Sequence, residues 1–187
     1  MRVLKTVVEA AVPALFACLA FGTMRAQEPE PSASPAPDLP RFLELTPCIA
    51  TGAQPTDAGL RQVAQKGYQA VINLRTPGED GIDFDKERKL VEELGLAYYQ
   101  IPVVGKDPKD AQADEFLKLM EELKEKKTFV HCAAANRVGG FILIERVLLD
   151  GVSLEQAQEE ANKVGLKSEV LKQFALDYIK RHRDDGR

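Results

Sequence analysis

The sequence predicts an α/β domain, a mainly parallel sheet of four or five strands flanked by helices. Three observations predict it. Short apolar runs rich in β-type residues recur at residues 70–74, 97–101 and 128–131. The segments between them carry apolar residues at helical spacing, and Gly, Pro and acidic clusters punctuate the junctions. Strands that alternate with helices need crossover connections, which align neighbouring strands in parallel and cover both faces of the sheet.

Each element has its own signal. Residues 42–45, Phe-Leu-Glu-Leu, begin a strand that gives way to a loop at Thr51-Gly52-Ala53-Gln54-Pro55. Thr56 is a fair N-cap for a helix reaching Lys66, with Leu60, Val63 and Ala64 as its apolar stripe and Gly67 as its stop. Residues 70–74 are a buried strand, and 75–81, crowded with breakers and acids, are a loop. A helix over residues 84–94 ends at Gly95, and the strand of residues 97–101 ends at Pro102. A loop over 103–109 leads to a helix from Asp110 to Lys124, with Phe116, Leu119, Met120 and Leu123 inward. After the strand at 128–131, residues 138–149 read as a helix apolar on most faces, hence central. Ser153 and Gln156 form a capping box for the next helix, and a last helix covers residues 167–182.

The ends of the chain have a different character. Arg2 and Lys5 precede an unbroken apolar run from Ala10 to Phe21, the pattern of an export signal over residues 1–26. The run is shorter than the ~20 residues that span a bilayer comfortably. Signal removal therefore implies no stable membrane insertion; an uncleaved N-terminal anchor is the alternative. Residues 27–40 hold five prolines and read as a stiff linker, leaving 41–187 as the folded domain. The expected location is the bacterial periplasm or beyond it.

The net charge of the chain is −4. Residues 1–26 contribute Arg2, Lys5, Arg25 and Glu9, a net +2, so the remainder carries −6. That balance, with no basic stripe interleaved with aromatics, excludes nucleic acid as the general partner. The two histidines, His131 and His182, and the acids show no ligand spacing, so neither a metal nor another cofactor is expected. Cys48 and Cys132 follow the signal. Export would permit a disulfide between them, but the setting of Cys132 argues for a free thiol.

That setting is residues 128–140, TFVHCAAANRVGG. A turn between strand and helix exposes backbone N–H groups, and the helix start adds more, making a nest for an oxyanion or a thiolate. Ala133, Ala134 and Ala135 put no bulk over it, and Asn136 and Val138 extend it into the helix. Arg137 offers a planar fork that can grip two oxygens of a tetrahedral anion. His131 faces the other side of the strand or sits under the loop, holding the cysteine region by a hydrogen bond; the alternative is a core histidine. Chemistry at Cys132 needs a group that acts as acid and then base, for which Asp107 has the loop context and Asp110 is the alternative. Arg75, at a strand end, contacts substrate or fastens its loop through Glu79 or Asp80.

The segment VHCAAANRVGG resembles the phosphate-binding loop of cysteine-dependent, dual-specificity-like phosphatases. Residues 49–55, 71–75, Glu79, 101–103 and 130–132 together resemble a bacterial subgroup, the beta-lactamase-hydrolase-like phosphatases, also labelled sulfurtransferases. The resemblance covers roughly residues 42–150. It implies a cysteine-phosphatase fold in which Cys132 attacks phosphorus, Arg137 and the loop amides hold the oxygens, and an aspartate of the preceding loop serves as acid and base. It also implies a phosphorylated small molecule or phosphoprotein as partner. Cys132 and Arg137 enclose four residues where the usual phosphatase loop has five. Rhodanese-like loops share the shorter spacing, so sulfur transfer through a Cys132 persulfide is the second expectation and oxyanion binding without turnover the third. Ala135 stands where glycine is common, and a left-handed backbone there costs roughly 1 kcal/mol.

Overall fold

The computed structural model describes residues 38–184. Residues 1–26, and all of 27–40 except 38–40, lie outside that range. The folded unit starts before residue 41. Leu39 is buried, Pro40 accepts a hydrogen bond from Ala53 N, and Thr56 donates to Asp38, so the end of the proline-rich segment belongs to the domain.

Five strands form the sheet: β1 (Leu43–Glu44), β2 (Ile49–Gly52), β3 (Ala70–Asn73), β4 (Ala97–Gln100) and β5 (Thr128–His131). Their order is β1-β2-β5-β3-β4, parallel except for the β1–β2 pair. The six helices are α1 (Asp57–Gln65), α2 (Phe84–Glu93), α3 (Asp110–Glu122), α4 (Asn136–Leu148), α5 (Leu154–Val164) and α6 (Glu169–Asp184). No helix among the described residues is long and apolar enough to cross a membrane.

Residues 49–52, Ile-Ala-Thr-Gly, form a strand of their own, whereas the sequence reads one strand from residue 42 that gives way to a loop at Thr51. Ile49 and Thr51 are β-branched, and pairing against β5, Ile49 with Thr128 through Gly52 with His131, carries the strand as far as Gly52. Several caps follow the local signals. Thr56 accepts from Gly59 N at the start of α1, and Gly95 takes positive φ after α2. Ser153 caps α5 through Gln156 N, but the Gln156 side chain turns to Glu160 instead of completing the box.

The sheet separates two cores. On one face Leu60, Val63, Val71, Leu90 and Phe129 pack with α1 and α2. On the other Ile72, Val130, Phe116, Phe141 and Leu143 pack among α3 to α6. Strand alternation sends Phe129 and His131 to the first face, and Val130 to the second with Cys132 following it. Burying side chains such as Phe141 and Leu143 contributes about 1.5–3 kcal/mol each. α4 sits close to its neighbours because Gly139 leaves out a Cβ that would lie 2.8 Å from Leu166.

One residue of α4 opposes this burial. Glu145 is 3% exposed and its Oε2 has no partner. Burial, reinforced by nearby Asp150, pushes its carboxyl up to about 8, and Arg146 beside it is engaged by Asp150 and Glu160. The unfolded group titrates near 4.5, so the folded chain holds the extra proton between the two values. The associated stability is complete below about 4.5 and is lost as pH rises through about 8. Unfolding in denaturant at pH 5 and pH 9 should show the wild type losing roughly 3–5 kcal/mol relative to Glu145→Gln over that interval. A constant difference between the two proteins would mean that Glu145 does not titrate in this window.

Candidate active site

Cys132 leaves β5 at the carboxyl end of the sheet, where parallel α/β folds bind ligands. It is 1% exposed and lies at the floor of an open hollow of about 450 Å³. Ala133, Ala134, Asn136 and Arg137 line one side, and Thr76, Glu79 and residues 103–106 line the other. The two loops singled out in the sequence thus meet over one sulfur.

Ala135 is the pivot of the turn. It adopts φ 62° and ψ 0° as the N-cap of α4, a left-handed residue without a capping side chain. The helix begins at Asn136, two residues earlier than its apolar pattern indicates. The N–H groups of Asn136, Arg137 and Val138 are in the first turn and have no carbonyl four residues back within the helix. Val138 is fully buried, so it offers the hollow only its backbone. Asn136 Oδ1 accepts from Lys167 N at 2.9 Å and Ser168 N at 3.1 Å, which ties the loop to the segment before α6.

A guanidinium has five N–H donors, and three of those of Arg137 are occupied. Nη1 donates to Glu79 Oε1 at 2.5 Å and to Val103 O at 2.9 Å, and Nη2 donates to Glu79 Oε2 at 2.8 Å. The remaining donors, Nε–H and one Nη2–H, share the other edge of the fork, which leaves a bidentate edge for two oxygens of an anion. Burial works against the charge on Arg137, but Glu79 and the Cys132 sulfur outweigh it and raise its pKa further. Glu79 is in turn held well below the usual carboxylate range, first by Arg137 and also by Thr76, whose N and Oγ1 both donate to Oε1 at 2.7 Å.

Arg75 does not line the hollow. Its Nε donates to Glu79 Oε2 at 3.1 Å, Nη2 to Asp80 O at 2.6 Å and Nη1 to Gln54 Oε1 at 2.9 Å. It fastens the 75–81 loop, and the expectation of substrate contact is corrected. His131 does not hold the cysteine loop either. It points to the opposite face of the sheet, stacks on Phe129 and lies 3.4 Å from Glu87 Oε1. Glu87 is 6% exposed; burial raises its pKa, but His131, Gln54 and Tyr98 lower it more, to about 2.

The two candidate acids lie outside the hollow. Asp107 is on the loop after β4 with its side chain 66% exposed and paired with Lys109, one residue beyond Lys106 at the hollow's edge. Asp110 is the first residue of α3, and Arg181 Nη2 donates to both of its oxygens at 2.8 and 2.9 Å. Both candidates are thus held in exposed ion pairs, and Asp107 is the nearer of the two in sequence to the hollow's lining.

Cys48 and Cys132 are both free. Cys48 precedes Ile49, the register partner of Thr128, and Cys132 lies four residues further along. Cys48 is therefore level with residue 127, five residues before Cys132, and at ~3.3 Å per residue the separation is roughly 17 Å, beyond the ~7 Å limit for a disulfide.

Residues 43–175 match the family described as DSP-PTPase phosphatase fused to NAD+ kinase. A beta-lactamase hydrolase-like protein of Xylella fastidiosa strain 9a5c is 29% identical over 99 residues, 52% of this chain and 23% of its own length. The chain therefore spans about a quarter of the length of the curated relatives it matches. A DUF442 protein of Shewanella putrefaciens CN-32 superposes with a TM-score of 0.66 at 22% identity, covering 76% of this chain and 93% of that one. TpbA of P. aeruginosa superposes with a TM-score of 0.62 at 19% identity, covering 82% and 91%. A variant of TpbA in complex with phosphotyrosine gives 0.59 at 16%, covering 79% and 91%. These structures share the fold of this chain.

Proposed function

Because the chain belongs to the family of DSP-PTPase phosphatases fused to NAD+ kinase, we propose that it is a cysteine-dependent phosphomonoesterase acting through a phosphocysteine at Cys132. The observation that carries this reading is the free edge of Arg137, held over the Cys132 sulfur by Glu79 and facing an open hollow. The phosphoryl group enters with its oxygens on that edge and on the first-turn amides of α4. Thiolate sulfur, the nucleophilic form of cysteine, attacks phosphorus as the ester oxygen departs. Water then cleaves the S–P bond and returns the thiolate. The complexed phosphotyrosine of TpbA supports an aryl phosphate as the assay substrate. The export pattern of residues 1–26 would put this activity in the periplasm or outside the cell.

The acid for the first step is Asp107. Glu79 is the only carboxylate lining the hollow among the described residues, and Arg137 keeps it ionised. Asp107 is one residue past the lining, and among the described residues its side chain is tied only to an exposed lysine. Its replacement by asparagine should lower turnover of an alkyl phosphate by about 10²-fold and leave a nitrophenyl phosphate, whose leaving group needs no proton, nearly unchanged. Equal losses on both substrates would remove Asp107 from the role. The same assay tests the function: hydrolysis should be inhibited by vanadate, and a reduced protein that turns over no phosphoester would overturn the reading.

The four-residue interval between Cys132 and Arg137 favours a second reading, sulfur transfer through a persulfide. It predicts one added sulfur on Cys132 after treatment with thiosulfate.

A further inference from the structure

Gln54 is the only side chain among the described residues that hydrogen-bonds both Glu87 and the guanidinium of Arg75. Its Nε2 donates to Glu87 Oε2 at 2.6 Å, and its Oε1 accepts from Arg75 Nη1 at 2.9 Å. On one side of it, Glu87 Oε1 accepts from Asn73 Nδ2 at 2.6 Å and from Tyr98 OH at 2.9 Å. On the other side, Arg75 reaches Glu79, and Glu79 clamps Arg137 through both oxygens. An unbroken series of hydrogen bonds therefore runs from Glu87 on α2 through Gln54, Arg75 and Glu79 to the arginine of the hollow.

Arg75 and Glu87 are 5% and 6% exposed, so water competes poorly for their partners. The Arg75 guanidinium is held at three points: Gln54, Glu79 and the Asp80 carbonyl. Loss of the Gln54 acceptor would leave a buried donor unpaired, and the guanidinium would turn to recover a partner. Glu79 would then lose the contact that complements Thr76 in fixing its plane, and the clamp on Arg137 would loosen. An amide suits position 54 because it must donate to one ionised group and accept from another of opposite sign.

We propose that Gln54 is a positioning residue for Arg137, setting the affinity of the hollow for a tetrahedral oxyanion through Arg75 and Glu79. The proposal rests on the reading of the hollow as an oxyanion site and adds a residue on the far side of the 75–81 loop. Its effect is on anion binding, and it touches neither substrate nor sulfur.

The test measures protection of Cys132 from iodoacetamide by inorganic phosphate and by vanadate in the full chain, which reads anion affinity without turnover. Gln54→Met keeps the volume of the side chain and should weaken protection about tenfold, the effect of losing one buried hydrogen bond to a charged group. Gln54→Glu, which faces Glu87 with a second carboxylate, should weaken it at least as much. A role in folding alone would lower the melting temperature of both variants and leave their protection constants at the wild-type value, which would overturn the proposal. Glu79→Gln provides the route test. Adding Gln54→Met to it should cause little further weakening, whereas independent, multiplicative losses would show that Gln54 does not act through Glu79. If neither anion protects the wild type, the oxyanion reading falls together with the proposal; if only the Gln54 variants match the wild type, the proposal falls alone.

Discussion

Cys132→Ser is expected to abolish hydrolysis of an aryl phosphate, with kcat falling by at least about 10³-fold, while the protein remains folded and still binds phosphate. The serine hydroxyl is a weak nucleophile unless an adjacent base removes its proton. None is at hand among the described residues: His131, the preceding residue, faces the other side of the sheet toward Glu87, and Glu79 is committed to Arg137 and Thr76. The substitution changes one atom at the floor of the hollow, so the anion contacts of Arg137 and the α4 amides persist. Steady-state kinetics and phosphate binding on the same preparation make the check. Turnover above roughly 1% of wild type would mean that the sulfur is not the nucleophile. A wild type that binds phosphate as well as the variant and turns over nothing would favour an oxyanion-binding domain.

Arg137→Lys is expected to cost about 10²–10³-fold in kcat/KM and to weaken vanadate inhibition in parallel. Charge is conserved, but the five-donor plane is lost. Arg137 divides its donors between Glu79, Val103 O and the free Nε/Nη2 edge, and one ammonium cannot satisfy all three directions. The charge that develops on the phosphoryl oxygens would meet a single point donor. Glu79 would also lose part of the partnership that keeps it well below the usual carboxylate range. A lysine variant within about threefold of wild type would show that the fork is not used in the transition state.

The local signals in the sequence carry most of the fold. Apolar periodicity and caps place α1, α2 and the later helices to within a residue or two, and the run of residues 128–131 becomes β5. β2 is not visible as a separate strand because the chain reverses at residues 45–49, where Leu45 N and Thr46 N both donate to Ile49 O, and its other partner, β5, lies nearly eighty positions away. The loop of Cys132 is legible for a different reason. Its spacing, small residues and arginine are contiguous, and so is the left-handed position of Ala135.

The partners of that loop are far less legible. Arg75 and Glu79 are four residues apart and suggest each other, but nothing local joins Glu79 to Arg137 across 58 positions, or Gln54 to Glu87 across 33. His131 is legible by alternation, since one step along a strand turns a side chain to the opposite face, but its partner Glu87 behind the sheet is not. Asp110 suits a loop acid by position, and its pairing with Arg181, 71 residues away, has no local signal.

Intact-mass analysis of the full chain, quenched during turnover of an aryl phosphate and, separately, after exposure to thiosulfate, asks Cys132 directly which atom it accepts. The account predicts the mass of one phosphoryl group on the first sample, absent from Cys132→Ser, and no added sulfur on the second. A persulfide on Cys132 with no phosphoryl adduct under any phosphoester would contradict it.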